Sequence, residues 1–213
     1  MKKDFLTTDK LRLEVERLWI QHIKLCQDNF LYFVQEMWQD FICRKEKDPS
    51  RWGHHQIIAK EFTNIAHEKK GRLIINMPPR HTKSEFASIY FPAWMIGKNP
   101  KLKIMQVSHN TELAVRFGSK VRNIIDSPQY KQIFGDVKLR EDSKAKGRWE
   151  TNHGGEYYAA GVGASITGRG ADLLIIDDPH TEQDSMSDMA MERAFDWYTS
   201  GPRQRLHPGG SIL

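Results

Sequence analysis

The chain has 213 residues, of which 39% are hydrophobic and 28% charged, and a formal net charge of +5. This composition predicts a globular protein of one domain or one and a half, with enough length for a sizeable core. The two cysteines, Cys26 and Cys43, lack disulfide or metal spacing, no apolar run approaches transmembrane length, and no apolar signal core follows Lys2 and Lys3. These features argue against a membrane-spanning, secreted or disulfide-rich protein, and the charge permits an anionic partner without requiring one.

Residues 1–50 are predicted to form a helical N-terminal segment, ahead of an α/β core over residues 51–213. Two apolar stripes at helical spacing support this prediction, and we expect both to pack in the core. The first comprises Leu11, Val15, Leu18, Trp19 and Ile23, and the second Phe30, Phe33, Val34, Met37, Trp38 and Phe41. Residues 45–51 are predicted to be a linker.

The apolar run Leu73–Ile75 predicts a buried strand, which leads into a proline-rich elbow, the pair Lys83-Ser84 and a helix that begins near Phe86. Strand, tight loop, Lys-Ser and helix start form the layout of a phosphate-binding P-loop. In that layout Lys83 reaches the β- and γ-phosphates of ATP, and the hydroxyl of Ser84 holds Mg²⁺. The loop residues predicted to line the phosphates are Pro79, Arg80, His81 and Thr82.

The match to the pattern G-x-x-x-x-G-K-[ST] is imperfect, because Met77 and Thr82 stand where it has glycine. A threonine in a left-handed conformation costs roughly 1–2 kcal/mol. We therefore expect a strained loop, and we expect Thr82→Gly to tighten nucleotide binding or speed hydrolysis. An ordinary surface turn is the alternative interpretation.

Just upstream lie Trp52, His55 and Gln56, followed by a helix. Many P-loop motors place a glutamine or an aromatic residue at this point to contact adenine, so these three residues are candidates for that contact. The alternative is a helix N-terminus with polar caps. The His54-His55 pair lacks further ligands at metal spacing, so no zinc site is predicted here.

After the loop, residues 86–95 predict a helix interrupted by Pro92. The strand Lys103–Ser108 and the helix Thr111–Ile125 then form a second βα unit, so the fold class is α/β with a central, mostly parallel sheet. Ser108 at the strand tip could face nucleotide or DNA, or it could cap the loop.

Residues 126–155 form a polar and basic stretch that can grip a nucleic-acid backbone or serve as a solvated loop face. Its basic residues and its one tryptophan are Lys131, Lys138, Arg140, Lys144, Lys146, Arg148 and Trp149.

The strand Glu156–Ala160 precedes a glycine-rich loop over residues 161–170. Arg169, on its Gly-Arg-Gly tip, is predicted to neutralise transition-state charge, with Arg80 as the rival for that role. A salt bridge to Asp172 or Glu85 is the alternative for either arginine.

The run Leu173–Ile176 predicts a strand buried on both faces, and it ends in Asp177-Asp178. Acids at the carboxyl end of such a strand lie where open α/β sheets bind ligands. This is the Walker B arrangement: Asp177 orders Mg²⁺ through water, and Asp178 polarises the attacking water. Glu182 or Asp184 could replace Asp178 if it cannot reach the water. We expect Lys83 and Asp177 to converge on one triphosphate–magnesium complex from adjacent strand tips.

Four motifs together resemble the large terminase subunit of tailed bacteriophages, from about Phe30 to the last residue. They are Met77–Glu85, Phe91–Trp94, Gly168–Asp172 and Leu174–Pro179. The departures are Thr82, where the family usually has glycine, and Asp178, where it usually has glutamate.

The resemblance implies a Mg²⁺-dependent ATPase that drives double-stranded DNA into procapsids in the host cytoplasm. It also implies a portal protein and a small terminase subunit as partners, and self-association into a ring in which Arg169 acts on the neighbouring subunit's ATP. The family continues with a coupling motif and a nuclease domain. Neither is present, so we expect an incomplete ATPase domain without nuclease activity.

Two alternatives stay open. A superfamily 2 helicase-like ATPase shares the same chemistry, and a degenerate nucleotide-binding assembly module fits the departures at Thr82 and Asp178.

Overall fold

The computed structural model describes residues 8–39, 41, 53–67 and 71–213, so the predicted linker and Trp52 lie outside the described residues. A π-helix covers Glu85–Tyr90, and 3₁₀ turns cover Asp184–Met186 and Pro202–Arg205. The α-helices are α1 (Thr8–Asp28), α2 (Phe30–Met37), α3 (Gly53–Ala66), α4 (Phe91–Lys98), α5 (Thr111–Asp126), α6 (Pro128–Ile133) and α7 (Asp188–Ser200). In these described segments, no helix is both long and apolar enough to cross a lipid bilayer.

The strands form one mixed sheet of six strands in the order β2-β3-β4-β1-β5-β6. Strands β4, β1, β5 and β6 are parallel, and the β2–β3 hairpin joins β4 in antiparallel fashion. The predicted fold class, α/β with a mostly parallel sheet, is therefore confirmed. The strands are β1 (Lys103–Ser108), β2 (Leu139–Ala145), β3 (Arg148–Thr151), β4 (Glu156–Gly161), β5 (Ala171–Ile176) and β6 (Leu206–Ile212).

Helices cover both faces of the sheet, which explains the continuous apolar runs of β1 and β5. On one face Ile104, Leu173 and Ile175 belong to the larger core cluster, which takes in buried residues of α2, α3, α4 and α5. On the other face Met105 and Val107 pack in a smaller cluster with α7. The central strands are thus buried on both faces, and only their ends can contact a ligand.

The predicted strand Leu73–Ile75 does not form as part of the sheet. A single bridge pairs Arg72 with Ile212, and the Leu73 N–H donates to the Ile212 carbonyl at 3.0 Å, while Ile74 is 86% exposed. The run is short, and the prolines that follow it have no N–H to donate to a ladder. Strand β6 separates this segment from β5, so the prediction of adjacent strand tips was wrong.

The two N-terminal stripes have different outcomes. In the second stripe Phe30, Phe33, Val34 and Phe41 are buried, as predicted. In the first stripe Leu11, Val15, Leu18 and Trp19 are exposed, so core packing was wrong for the first turns of α1. Helical periodicity identifies an apolar face but not whether a partner element lies beside it. Contacts that anchor α1 come from its last turns, where the Trp94 indole N–H donates to the Cys26 carbonyl and the Gln27 amide to the Ile133 carbonyl.

Residues 126–155 are more structured than a solvated loop, since they contain α6 and the β2–β3 hairpin. Arg140 pairs with Asp142 and Glu150, and Arg148 pairs with Glu156. Trp149 is fully buried and stacks on Tyr157 with ring centroids 4.8 Å apart. The tryptophan that suggested a nucleic-acid grip is therefore a core residue, and two of the arginines already hold acidic partners.

Candidate active site

Lys83 lies between the two acids that follow β5. Its Nζ is 3.3 Å from Asp177 Oδ1 and donates a hydrogen bond to Asp178 Oδ1. The Asp177 side chain is 4% exposed, whereas that of Asp178 is 60% exposed. The structure thus brings together the three residues that the two sequence motifs predicted to share a site.

The charge state of Lys83 follows from two opposing effects. Partial burial alone would lower its pKa, but the hydrogen bond to Asp178 and the negative charges of both acids outweigh it. The Lys83 pKa therefore lies above its ordinary value. The side chain is an ammonium ion at neutral pH.

A left-handed backbone at Asp178 explains how both neighbouring acids reach one lysine. Successive side chains of a strand point to opposite faces, but Asp178 has φ 47°, which turns the chain as β5 ends. The Asp178 carbonyl accepts the His109 N–H at 3.0 Å and thereby fixes this turn to the end of β1. The exposed carboxylate of Asp178 remains accessible to solvent.

Asp177 is held by groups on two elements, strand β1 and the π-helix. Its backbone N–H donates to the Val107 carbonyl at 2.9 Å, and its own carbonyl accepts the Ser108 hydroxyl at 2.8 Å. Ser108 is buried, so of the two predicted roles it has the capping one. The Ser88 hydroxyl donates to Asp177 Oδ2 at 2.8 Å, and the Gln106 amide Nε2 donates to Ser88 Oγ at 3.3 Å.

Sequence reasoning missed Ser88 and Gln106. Both are polar residues inside buried apolar runs, Phe86–Ile89 and Ile104–Val107, and both are fully buried. A polar residue in such a run must find a hydrogen-bond partner, and that requirement was the signal that could have found them.

The phosphate-loop candidates form a tight turn with two left-handed residues. Arg80 has φ 64° and Thr82 has φ 67°, so the predicted strain at Thr82 is present, whereas Met77 has no positive φ. His81 Nδ1 donates to the Pro79 carbonyl at 2.9 Å. Pro79, Arg80 and His81 are exposed, and Ser84 is half-buried with a hydroxyl that does not cap the following helix.

His55 is hydrogen-bonded to this turn from the buried side. The Thr82 hydroxyl donates to the His81 carbonyl at 2.5 Å, which leaves His55 Nε2–H to donate to Thr82 Oγ1 at 2.9 Å. His55 is buried against the rings of Phe41 and Phe86, so its ring is not presented to a base. Gln56 is exposed on α3 beside it.

A cavity of about 420 Å³ opens beside Lys83, within the size range of ligand sites. Lys83, Asp177, Asp178 and Asn76 form its polar side. Its apolar walls are Leu73, Ile74, Ile75, Ala87, Ile175, Ile176, Pro179, Tyr198, Ile212 and Leu213.

The donor set fits a magnesium–nucleotide complex. Mg²⁺ in such sites is bound by one or two carboxylates together with phosphate oxygens and water. Asp177 would supply the carboxylate, with Ser84 as the predicted hydroxyl ligand, and Lys83 would supply the positive charge for phosphate. Among the described residues, no group of three or more His, Cys, Asp or Glu side chains could hold a metal ion by itself.

Arg169 lies at the other end of the sheet. Its Nη1 donates to Glu156 Oε1 at 2.6 Å, and its guanidinium lies 4.2 Å from the Tyr158 ring centroid. Glu156 begins β4 and Asp177 follows the parallel strand β5, so about six residues, or about 20 Å, separate the two ends. A salt bridge to Asp172 was the expected alternative, but the partner is Glu156. Arg169 therefore cannot act on a ligand held by Lys83 of the same chain.

The substitutes named for Asp178 are less suited to its role. The Asp184 carboxylate accepts the Thr181 N–H at 3.0 Å and the Thr181 hydroxyl at 2.7 Å, and these bonds hold its pKa below the ordinary value. Asp184 thus stabilises its own turn, and Glu182 is exposed on the same turn. Asp178 remains the exposed acid beside Lys83.

Comparison with protein-family models and with curated proteins finds no match to this chain.

Proposed function

We propose that this chain is a Mg²⁺-dependent ATPase, the motor part of a phage DNA-packaging machine that resembles the large terminase subunit. One observation carries the proposal: Lys83 meets Asp177 and Asp178 at the carboxyl end of the buried strand β5. A lysine on a tight loop and a carboxylate at the tip of a parallel strand are the two groups that nucleotide hydrolysis needs in one place.

In this proposal each residue has one task. Lys83 contacts the β- and γ-phosphates, Asp177 and Ser84 hold the metal, and Asp178 orients the attacking water. A bound Mg²⁺ would neutralise negative charge on the phosphate oxygens. The 60% exposure of Asp178 supports its role, because a carboxylate that activates water must be reachable by water.

The contact between Lys83 and Asp178 must open for turnover. Phosphate oxygens compete with the acids for the ammonium group, and when Lys83 moves to them it leaves Asp178 without its partner. Asp178 is then free to accept a hydrogen bond from water. Lys83 thus holds Asp178, the general base of this proposal, in an ion pair until phosphate binds.

Double-stranded DNA, a portal protein, a small terminase subunit and a ring of copies are proposed as partners from the resemblance. The host cytoplasm is proposed as the compartment on the same basis.

The test is DNA-stimulated ATP hydrolysis by the protein with Mg²⁺. We expect blunt double-stranded DNA to raise turnover and Lys83→Ala to abolish it, since the variant lacks the phosphate-binding charge. Lys24→Ala is the matched control, because that lysine is exposed on α1 and lies outside the basic stretch of residues 126–155.

Two other results would assign a different function. Strand displacement on a forked duplex would favour the helicase-like ATPase. ATP binding without turnover, unchanged by Lys83→Ala, would favour the assembly module and contradict the proposal.

A further inference from the structure

We infer that Gln106 and Ser88 form a positioning relay that fixes the orientation of the Asp177 carboxylate. The relay holds Oδ2, so that Oδ1 faces Lys83 and is the oxygen that would be available to a metal. Neither residue touches the nucleotide in this inference, so both are positioning residues. The inference rests on the proposed function for its metal, but the relay itself can be tested without it.

The hydrogen bonds lead from Gln106 in the core through Ser88 to Asp177 at the site. Gln106 Nε2 donates to Ser88 Oγ at 3.3 Å, and the Ser88 hydroxyl donates to Asp177 Oδ2 at 2.8 Å. Asp177 Oδ1 faces the Lys83 ammonium group at 3.3 Å. Because the Gln106 bond uses a lone pair of Ser88 Oγ, the serine proton is left to point at Asp177.

Burial makes these bonds strong. Ser88 and Gln106 are 0% exposed and Asp177 is 4% exposed, so water cannot replace a lost partner. A hydrogen bond to a charged group is stronger than one between neutral groups, and a buried group left unpaired bears its desolvation cost. The carboxylate therefore has one strongly preferred orientation.

The π-helix brings Ser88 into this position. Pro92 has no N–H to donate to the Ser88 carbonyl, as an α-helix would require. The chain widens instead, and the Phe91 N–H donates to the Phe86 carbonyl five residues earlier. Such widened turns occur often at functional sites. Here the widened turn begins directly after Lys83-Ser84 and carries the hydroxyl that binds Asp177.

Gln106 shows that the arrangement is not simply a well-satisfied core. Its amide oxygen Oε1 is buried and has no hydrogen-bond partner among the described residues. An apolar residue of similar shape would avoid that cost. Gln106 is therefore placed to orient Ser88, although its unpaired oxygen lowers the stability of the fold. We expect Gln106→Met to impair the site without lowering the free energy of unfolding.

The first test needs no nucleotide and uses a double-mutant cycle of Ser88→Ala and Asp177→Ala, followed by urea unfolding. We expect Ser88→Ala to lower the folding equilibrium constant roughly tenfold in the wild-type background, the effect of a hydrogen bond to a charge. In the Asp177→Ala background its effect should be clearly smaller, because only the loss of the hydrogen bond from Gln106 remains. Equal effects in both backgrounds would overturn the relay, whatever the protein binds.

The second test measures the Mg²⁺ concentration that half-saturates nucleotide-dependent activity or binding. We expect Ser88→Ala to raise this half-saturating Mg²⁺ concentration roughly tenfold, and Gln106→Met to raise it roughly threefold. The ATP affinity measured in EDTA should stay unchanged in both variants. Ser88→Thr keeps the hydroxyl and should restore the wild-type value. Gln106→Met should unfold at the same or a higher urea concentration than wild type. Ser165→Ala removes an exposed hydroxyl and is the control.

The outcomes separate the two claims. Absence of Mg²⁺-dependent nucleotide binding in the wild type would overturn the proposed function, and the unfolding cycle would still decide the relay. Wild-type Mg²⁺ dependence in both variants would overturn the relay and leave the proposed function standing. Equal losses with and without Mg²⁺ would show a merely structural role and would also overturn it.

Discussion

The two ends of the parallel sheet both carry charged residues, but they arrange them differently. At the amino end Arg169 pairs with Glu156, and Asp172 accepts hydrogen bonds from His207 Nδ1 at 2.7 Å and from the Lys103 backbone N–H at 2.8 Å. At the carboxyl end one lysine faces two acids beside a cavity of about 420 Å³. These amino-end side chains pair with one another, whereas the carboxyl end has a cation beside an open space for a ligand.

Backbone conformation sharpens the contrast. Within the described part of the chain, the non-glycine residues with a left-handed backbone are Arg80, Thr82 and Asp178, and all three lie at the carboxyl end. Strained conformations cost about 1–3 kcal/mol each and concentrate at functional sites. At the amino end the Arg169–Glu156 pair joins a loop residue to the first residue of β4, and no non-glycine residue among those described there has a left-handed backbone. The strained residues therefore lie at the same end of the sheet as the candidate site.

Thr82→Gly tests the strain at the carboxyl end. Glycine removes roughly 1–2 kcal/mol of left-handed strain, but it loses a hydrogen bond to His55 worth about 1 kcal/mol and adds unfolded-state entropy of about 0.5–1 kcal/mol. We expect the free energy of unfolding to change little and ATP binding to tighten about threefold, because the loop amides can approach phosphate more closely. Titration calorimetry and urea unfolding measure the two effects.

Thr82→Asn is the matched control, since asparagine tolerates the left-handed region and keeps a polar side chain for His55. It should behave as wild type or better. Poorer binding together with lower turnover in Thr82→Gly would refute the strain argument.

Arg169→Ala tests the amino end and has the smallest expected effect on binding. Because Arg169 is held by Glu156 about 20 Å from the site, we expect the ATP affinity of a single chain to change less than about twofold. A large loss of affinity would break the distinction between the two ends. If Arg169 serves a neighbouring copy, turnover lost in Arg169→Ala should be partly restored when wild-type subunits are mixed in.

The sequence predicted the parts of the site that depend on continuous patterns. The buried run Leu173–Ile176 placed Asp177 at a strand tip, and the P-loop pattern implied that Lys83 lies near it; the structure brings the two together, although Lys83 does not follow a strand of the sheet. Thr82 also has the positive φ that the pattern implied.

What the sequence could not predict depended on partners distant in the chain. Ser88 and Gln106 lie 89 and 71 residues from Asp177, and nothing local shows that the three side chains meet (177 − 88 and 177 − 106). Trp149 was predicted as part of a stretch that can grip a nucleic-acid backbone, but it is buried and stacks on Tyr157, which lies on another strand. The apolar stripe of α1 implied burial, but no described element covers Leu11 or Val15 enough to bury it.

The most direct test of the central claim is ATP affinity, with Mg²⁺ and with EDTA, in wild type, Lys83→Ala and Asp177→Asn. If both side chains share one triphosphate–magnesium complex, Lys83→Ala should lose at least about tenfold in affinity under both conditions, whereas Asp177→Asn should lose only the part that depends on Mg²⁺. Wild-type affinity in both variants, with and without Mg²⁺, would contradict a shared site.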